Sequence, residues 1–138
     1  SSPQQITILG IERDQLDRLI SDVRCCGQAP VTGGLLDDRS LRTAVAESDI
    51  LMHCSPVGMY PNTDASLVAP NMLRAGMVVF DAVYNPRQTK LLQAAEAAGC
   101  RTIAGMEMFV GQAVVQFELW TGKKAPRSVM RKVVEEQL

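Results

Sequence analysis

Two segments of this chain place polar side chains where a parallel sheet would open its ligand crevice. Phe80 to Arg87 (FDAVYNPR) and Gly105 to Gln112 (GMEMFVGQ) each follow the carboxyl end of an apolar run, and each then turns helical. Strand ends of that kind bind ligands in open α/β sheets. Tyr84 and Gln112 bring neutral hydrogen-bonding groups there, beside the small or flexible Ala82, Gly105 and Met108. Such groups suit an uncharged ring lying on backbone, with a polyhydroxylated substrate next to it. The two segments hold no paired carboxylates, no activated nucleophile and no metal-ligand spacing, so no catalytic residue and no metal ligand is assigned.

The elements that must position these residues alternate between strand and helix. Ile6–Leu9 reads as a strand bounded by Gln4-Gln5 and Gly10, followed by a helix with Leu16, Leu19, Ile20 and Val23 at helical spacing. Gly27 to Gly34 reads as loop, with a short edge strand at Pro30-Val31-Thr32 as the most structure it would carry. Asp38 or Ser40 would cap a brief helix. Ile50–Cys54 reads as a strand covered on both faces, and Met77–Phe80 as another. Between them, 56–70 is a long loop rich in Pro, Gly, Asn and Asp.

Pro86 suits the first turn of a helix that keeps Leu91, Leu92, Ala95 and Ala98 on one side and stops at Gly99. Cys100–Ala104 is a further strand, Glu107–Trp120 a long helix, and Pro126 opens a last one. The fold class is therefore α/β, a Rossmann-like parallel sheet flanked by helices, over one domain of residues 1–138.

Composition narrows the function classes. The chain has 138 residues, 46% of them hydrophobic, with a net charge of −1. That supports a folded core and gives no basic footprint for nucleic acid. No apolar run is long enough to span a bilayer. Cys25, Cys26, Cys54 and Cys100 match no metal spacing, and a reducing, cytoplasmic setting fits them best. Ser1-Ser2-Pro3 has no preceding methionine, which points to a cut or processed chain.

Asp81-Ala-Val-Tyr84-Asn-Pro86 with Thr89-Lys90-Leu91-Leu92, then Gly105-x-Glu-Met108-Phe-x-Gly111-Gln112, and upstream Cys54-Ser55-Pro56-Val57-Gly58-Met59, stand in one order. Together they resemble the C-terminal cofactor half of the shikimate dehydrogenase family. The resemblance runs from about Asp49 to Val134, and more loosely back to Ile6. It lacks the family's N-terminal substrate domain, with its catalytic lysine and aspartate, and the first βα unit with its glycine-rich pyrophosphate loop. The Rossmann-like sheet is thus truncated at its N-terminal βα unit. Two strand edges would be left open, so the fragment is expected to be marginal alone, and homo-oligomerisation, altered strand pairing or another chain would close the gap.

The resemblance implies reversible NADPH-dependent reduction of 3-dehydroshikimate to shikimate, with this half inactive in isolation. It implies that Tyr84 contacts the substrate carboxylate and Gln112 the ring hydroxyls. Gly105, Met108 and Ala82 would border the nicotinamide, and Ser55, Pro56 and Val57 the rest of the cofactor. His53 stands where the family has asparagine; from its apolar strand it reads as a satisfied core residue rather than a base. Asp81, lacking a partner base, reads as an organiser of loop N–H groups, and Asp64 as turn chemistry.

The family's Asn-Arg-Thr, whose arginine grips the NADP 2′-phosphate, is Gly10-Ile11-Glu12-Arg13 here. Arg13 is the displaced substitute; Glu12 would favour a ribose hydroxyl and hence NAD. Two alternatives stay open: an NAD-dependent enzyme acting on quinate or a similar polyol, and a non-catalytic binding or assembly module.

Overall fold

A computed structural model describes residues 3–137, so Ser1 and Ser2, and with them the reading of the amino terminus, lie outside the described residues. The chain divides into two compact units, Ser1–Ser48 and Asp49–Leu138.

In the first unit, β1 (Ile6–Gly10) leads into α1 (Arg13–Cys26), then β2 (Val31–Leu35) and α2 (Asp38–Ala46). β1 and β2 pair in parallel over five residues, from Ile6 opposite Val31 to Gly10 opposite Leu35. The loop expected over Gly27–Gly34 is therefore corrected. Its second half is a full strand, because Gly33 leaves room that a side chain would deny: a β-carbon there would overlap Ile20 Cδ1 and stand 2.8 Å from the Ile8 carbonyl oxygen. Leu16, Ile20 and Val31 form the core, with Ile6, Ile8 and Val23 packed against them. Leu19, expected on the same helical face, is half exposed.

The cap of α2 also differs from the expectation, by one residue. Asp37 is the N-cap, its carboxylate accepting the Ser40 N–H at 2.7 Å while Ser40 Oγ accepts the Asp37 N–H at 3.0 Å. Ser40 is thus the reciprocal partner of a capping box, and Asp38 is already helical. The Ser40 backbone N–H, with the Ser40 hydroxyl next, holds the Asp37 carboxyl below its ordinary range.

The second unit holds β3 (Ile50–His53), a 3₁₀ turn (Pro70–Met72), β4 (Val78–Asp81), α3 (Lys90–Ala97), β5 (Arg101–Ala104), α4 (Gly105–Thr121) and α5 (Arg127–Gln137). Its sheet is parallel in the order β3-β4-β5. Val79 on the central strand is wholly buried, and Met77, Val83, Leu91, Leu92, Ala95, Met106 and Val110 are among the residues buried with it. Each Leu or Val side chain so enclosed contributes roughly 1.5–3 kcal/mol of transfer free energy. β3 is not covered on both faces as its apolar run implied: Ile50 and Met52 are 60% and 65% exposed, while His53 points the other way and is buried. β1 has only β2 as a strand partner, and β3 only β4, among the described residues. The altered pairing expected to close an open edge is not adopted.

α3 begins at Lys90 with Thr89 as its N-cap, so Pro86 does not occupy the first turn of that helix. It lies in the preceding loop, after a cis Asn85–Pro86 bond. Gly99 follows the end of α3 at φ 76°, a left-handed position that favours glycine after a helix. α4 starts at Gly105, directly off β5, earlier than the apolar spacing implied. Arg131 on α5 donates to both carboxylate oxygens of Glu107 on α4 at 2.5 Å, and that bond holds the Glu107 carboxyl below its ordinary range. No helix among the described residues is long and apolar enough to cross a membrane.

Candidate functional site

The register of the second sheet sets His53, Asp81 and Ala104 side by side at the carboxyl ends of β3, β4 and β5. The sheet edge extends one step further, where Ala82 N–H donates to the His53 carbonyl at 2.9 Å. From this row the chain runs out as Ser55–Val57, as Ala82–Tyr84 and as Gly105–Met108. Six of the expected cofactor residues, Ser55, Pro56, Val57, Ala82, Gly105 and Met108, therefore leave one strand-end edge together. The reason is simple geometry: parallel strands in register must present their carboxyl ends on the same side.

Asp81 organises this edge. Its side chain is fully buried and carries three hydrogen bonds. Oδ1 accepts from the Val83 N–H at 3.0 Å and bonds His53 Nδ1 at 2.9 Å. Oδ2 accepts the Thr89 hydroxyl at 2.6 Å, and Thr89 Oγ1 in turn caps α3 by accepting the Leu92 N–H. Burial pushes the Asp81 carboxyl up, but the bonds from His53, Thr89 and Val83 outweigh it and leave the group below the ordinary carboxylate range. The expectation that Asp81 orders loop N–H groups holds at Val83. The expectation that it lacks a partner base does not, since His53 is in direct contact. His53 is itself buried and satisfied, with Nε2 2.6 Å from Ser55 Oγ.

Tyr84 stacks on Phe109 with ring centroids 4.5 Å apart and 20° between planes, which ties the β4 loop to the first turns of α4. Its side chain remains 38% exposed. Gln112 lies two turns into α4 and is exposed, as is Met108 at 44%. Gly105 is buried, and its missing side chain accommodates protein rather than open space: a β-carbon would overlap the Ala82 carbonyl and stand 2.6 Å from the Val83 carbonyl oxygen. Because those neighbours are backbone, Gly105→Ala should cost about 1–3 kcal/mol, read as a lowered denaturation midpoint. An unchanged midpoint would show that the β4 loop moves freely away from α4.

Arg13 is exposed at the first position of α1, in the first unit, after Glu12 as an N-cap without a side-chain capping bond. Asp64, read as turn chemistry, stands 3.5 Å from Lys90 Nζ. Two residues of the strand-end network, Thr89 and Phe109, stand in the quoted motifs but were given no role from sequence. Thr89 carried a usable signal, a threonine directly before Lys90-Leu91-Leu92, which is an N-cap pattern. Phe109 carried none, because an aromatic on a helix gives no hint of which loop it will meet.

Ala82 is small, the Met108 side chain is accessible, and the buried charge of Asp81 is consumed internally. Nothing equivalent supports a diphosphate at α1, where Gly10-Ile11-Glu12 offers an acid at the N-cap.

Known proteins resemble this chain in sequence and in fold. The family described as Shikimate 5′-dehydrogenase C-terminal domain matches residues 105–135. A shikimate dehydrogenase (NADP(+)) of Dehalococcoides mccartyi is 40% identical over 131 residues, covering 94% of this chain and 46% of that protein. The crystal structure of a Listeria monocytogenes shikimate 5-dehydrogenase in complex with shikimate and NAD superposes with a TM-score of 0.84 at 29% identity, over 95% of this chain and 47% of that one. A Corynebacterium glutamicum quinate dehydrogenase in complex with NAD gives 0.86 at 29% identity, over 98% and 47%. The chain spans about half the length of the relatives it matches.

Proposed function

Since the chain belongs to the shikimate dehydrogenase family and corresponds to its C-terminal half, we propose that it forms the cofactor-binding half of an enzyme interconverting 3-dehydroshikimate and shikimate with NADP. The observation that carries this reading is the common strand-end edge from which Ser55–Val57, Ala82, Gly105 and Met108 all emerge. The bound nicotinamide supplies the hydride. The residues of this chain bind and orient: Ala82, Met108 and the Gly105 backbone would border the ring, and Ser55, Pro56 and Val57 would line its approach.

Tyr84, held upright by Phe109, would offer its hydroxyl to the substrate carboxylate. Gln112 carries both a donor and an acceptor, as a diol requires. Proton transfer at the ring carbonyl falls to a lysine–aspartate pair in a separate substrate domain, the partner this reading requires. Asp81 does not substitute for that pair, because both its oxygens are occupied by His53, Val83 and Thr89.

Shikimate-dependent reduction of NADP should therefore be measurable in the complete enzyme and absent from the 138 residues alone. Turnover by the isolated chain, or none by the complete enzyme, contradicts this division of labour. A second reading, an NAD-dependent enzyme acting on quinate or a related polyol, is favoured by Glu12 at the N-cap of α1. Arg13→Ala separates the two. If Arg13 meets a 2′-phosphate, NADP affinity should fall about 2- to 10-fold with NAD unaffected, a modest loss because the guanidinium is exposed. Equal changes for both cofactors would remove Arg13 from the site.

A further inference from the structure

The row of hydrogen bonds at the end of β3 continues outward past the structural cluster. Ser55 Oγ lies 2.6 Å from His53 Nε2, and His53 Nδ1 lies 2.9 Å from Asp81 Oδ1. Asp81 is fully buried and His53 is 7% exposed, while Ser55 is only half-buried, so the chain of contacts runs from the interior to an accessible hydroxyl. β3 ends at His53 and the chain bends at Ser55, which leaves the Ser55 hydroxyl beside the His53 ring.

An ionised Asp81 can only accept, so the hydrogen of neutral His53 sits on Nδ1. Nε2 is then an acceptor, and the Ser55 hydroxyl donates to it. The remaining Asp81 bonds, from Thr89 Oγ1 at 2.6 Å and the Val83 N–H at 3.0 Å, prevent the carboxylate from turning away. A nucleophile bonded to a base, and a base bonded to a fixed carboxylate, is the arrangement that activates a serine wherever it occurs. Asparagine, which the family resemblance places at position 53, would hold the same loop by hydrogen bonds. It could not take up a proton.

We propose that Ser55 is an activated nucleophile that accepts the acyl group of small activated esters, with His53 as its base and Asp81 as the residue that orients His53. This goes beyond the dehydrogenase reading and needs neither cofactor nor a second domain. In the step, Ser55 Oγ bonds to the acyl carbon as the bond to the leaving alkoxide or phenoxide breaks. The hydroxyl proton moves to His53 Nε2 and from there to the departing oxygen. Water attacking the ester by the reverse route would regenerate Ser55.

The groups facing His53 are the Asp81 carboxylate and the Ser55 hydroxyl, with the Cys54 thiol next to it in sequence. Burial, and then the Asp81 charge, push that thiol up.

The test is to treat the purified chain with p-nitrophenyl acetate and, separately, with a small alkyl fluorophosphonate, then map the adduct by peptide mass spectrometry. The expected results are release of about one equivalent of p-nitrophenolate in a fast phase and a single adduct on Ser55. Ser55→Ala should abolish both, and Ser66→Ala should leave both unchanged. His53→Asn should slow labelling about 100-fold or more, the usual weight of a general base. Circular dichroism of each variant identifies loss of fold. Should His53→Asn fail to fold, the labelling rate of the unmutated chain against pH replaces it, and must rise to a plateau through one deprotonation. Absence of an adduct, an adduct on Cys54 or Ser66, an undiminished rate in a folded His53→Asn variant, or a rate independent of pH would each overturn the proposal.

Discussion

Asp81→Ala should destabilise the second unit by about 3–5 kcal/mol, the range for removing one member of a buried charged network. The substitution strands three donors at once: the His53 ring N–H, the Thr89 hydroxyl and the Val83 N–H. Each buried donor left without a partner costs about 1–3 kcal/mol, and the sum is reduced by water entering the vacated space. Against a total stability of about 5–15 kcal/mol the loss is large, on the order of 10–20 °C in Tm for a domain of this size. Thermal melting of both forms is the check, and a shift of only a degree or two would mean the network is dispensable.

The same carboxylate gives stability a defined pH dependence. The Asp81 pKa is lowered on folding from an ordinary value of 3.8, so its contribution is complete above that value. It is lost as pH falls through the lower folded value. Asp81→Asn should flatten the acid limb of a stability profile below about pH 4.

Tyr84→Phe in the complete enzyme should lower kcat/KM about 10- to 150-fold, with cofactor affinity and Tm nearly unchanged. The size follows from deleting a hydrogen bond to a charged carboxylate, worth about 1.5–3 kcal/mol. Stability should persist because the stack on Phe109 uses the ring and not the hydroxyl. Gln112→Ala, which removes neutral hydrogen bonds worth about 0.5–1.5 kcal/mol each, should cost less, about 2- to 12-fold. Parental kcat/KM with a lowered Tm in both variants would make the two residues packing elements and move the substrate site elsewhere.

The placement of these candidate residues was readable because strand ends in a parallel sheet are forced together. Once residues near 50–54, 77–80 and 100–104 were recognised as parallel strands, Ser55, Ala82 and Gly105 had to emerge on one edge. The parts that were not readable depend on long-range contacts. Gly33 looked like a loop residue, since a glycine that makes room for Ile20 is indistinguishable in sequence from one that makes a turn. Ile50 and Met52 looked buried because an apolar run does not reveal whether a second layer covers it. Pro86 fits a helix start by local rules, yet Thr89 takes that position, since it can cap Leu92 and bind Asp81 together. His53 was correctly read as satisfied, but its partners are a distant aspartate and a serine two positions on, and only the strand register joins them.

The central claim, that the carboxyl ends of β3, β4 and β5 form the nicotinamide and substrate crevice, is tested most directly by amide chemical shifts in the ¹⁵N-labelled complete enzyme. Titration with NADP should move the backbone resonances of Ser55, Val57, Ala82, Gly105 and Met108, and later addition of shikimate should move those of Tyr84 and Gln112. Saturating NADP that left these amides unmoved, or shifted instead the residues lining the open groove of the first unit at Thr7, Thr32 and Thr43, would contradict the account.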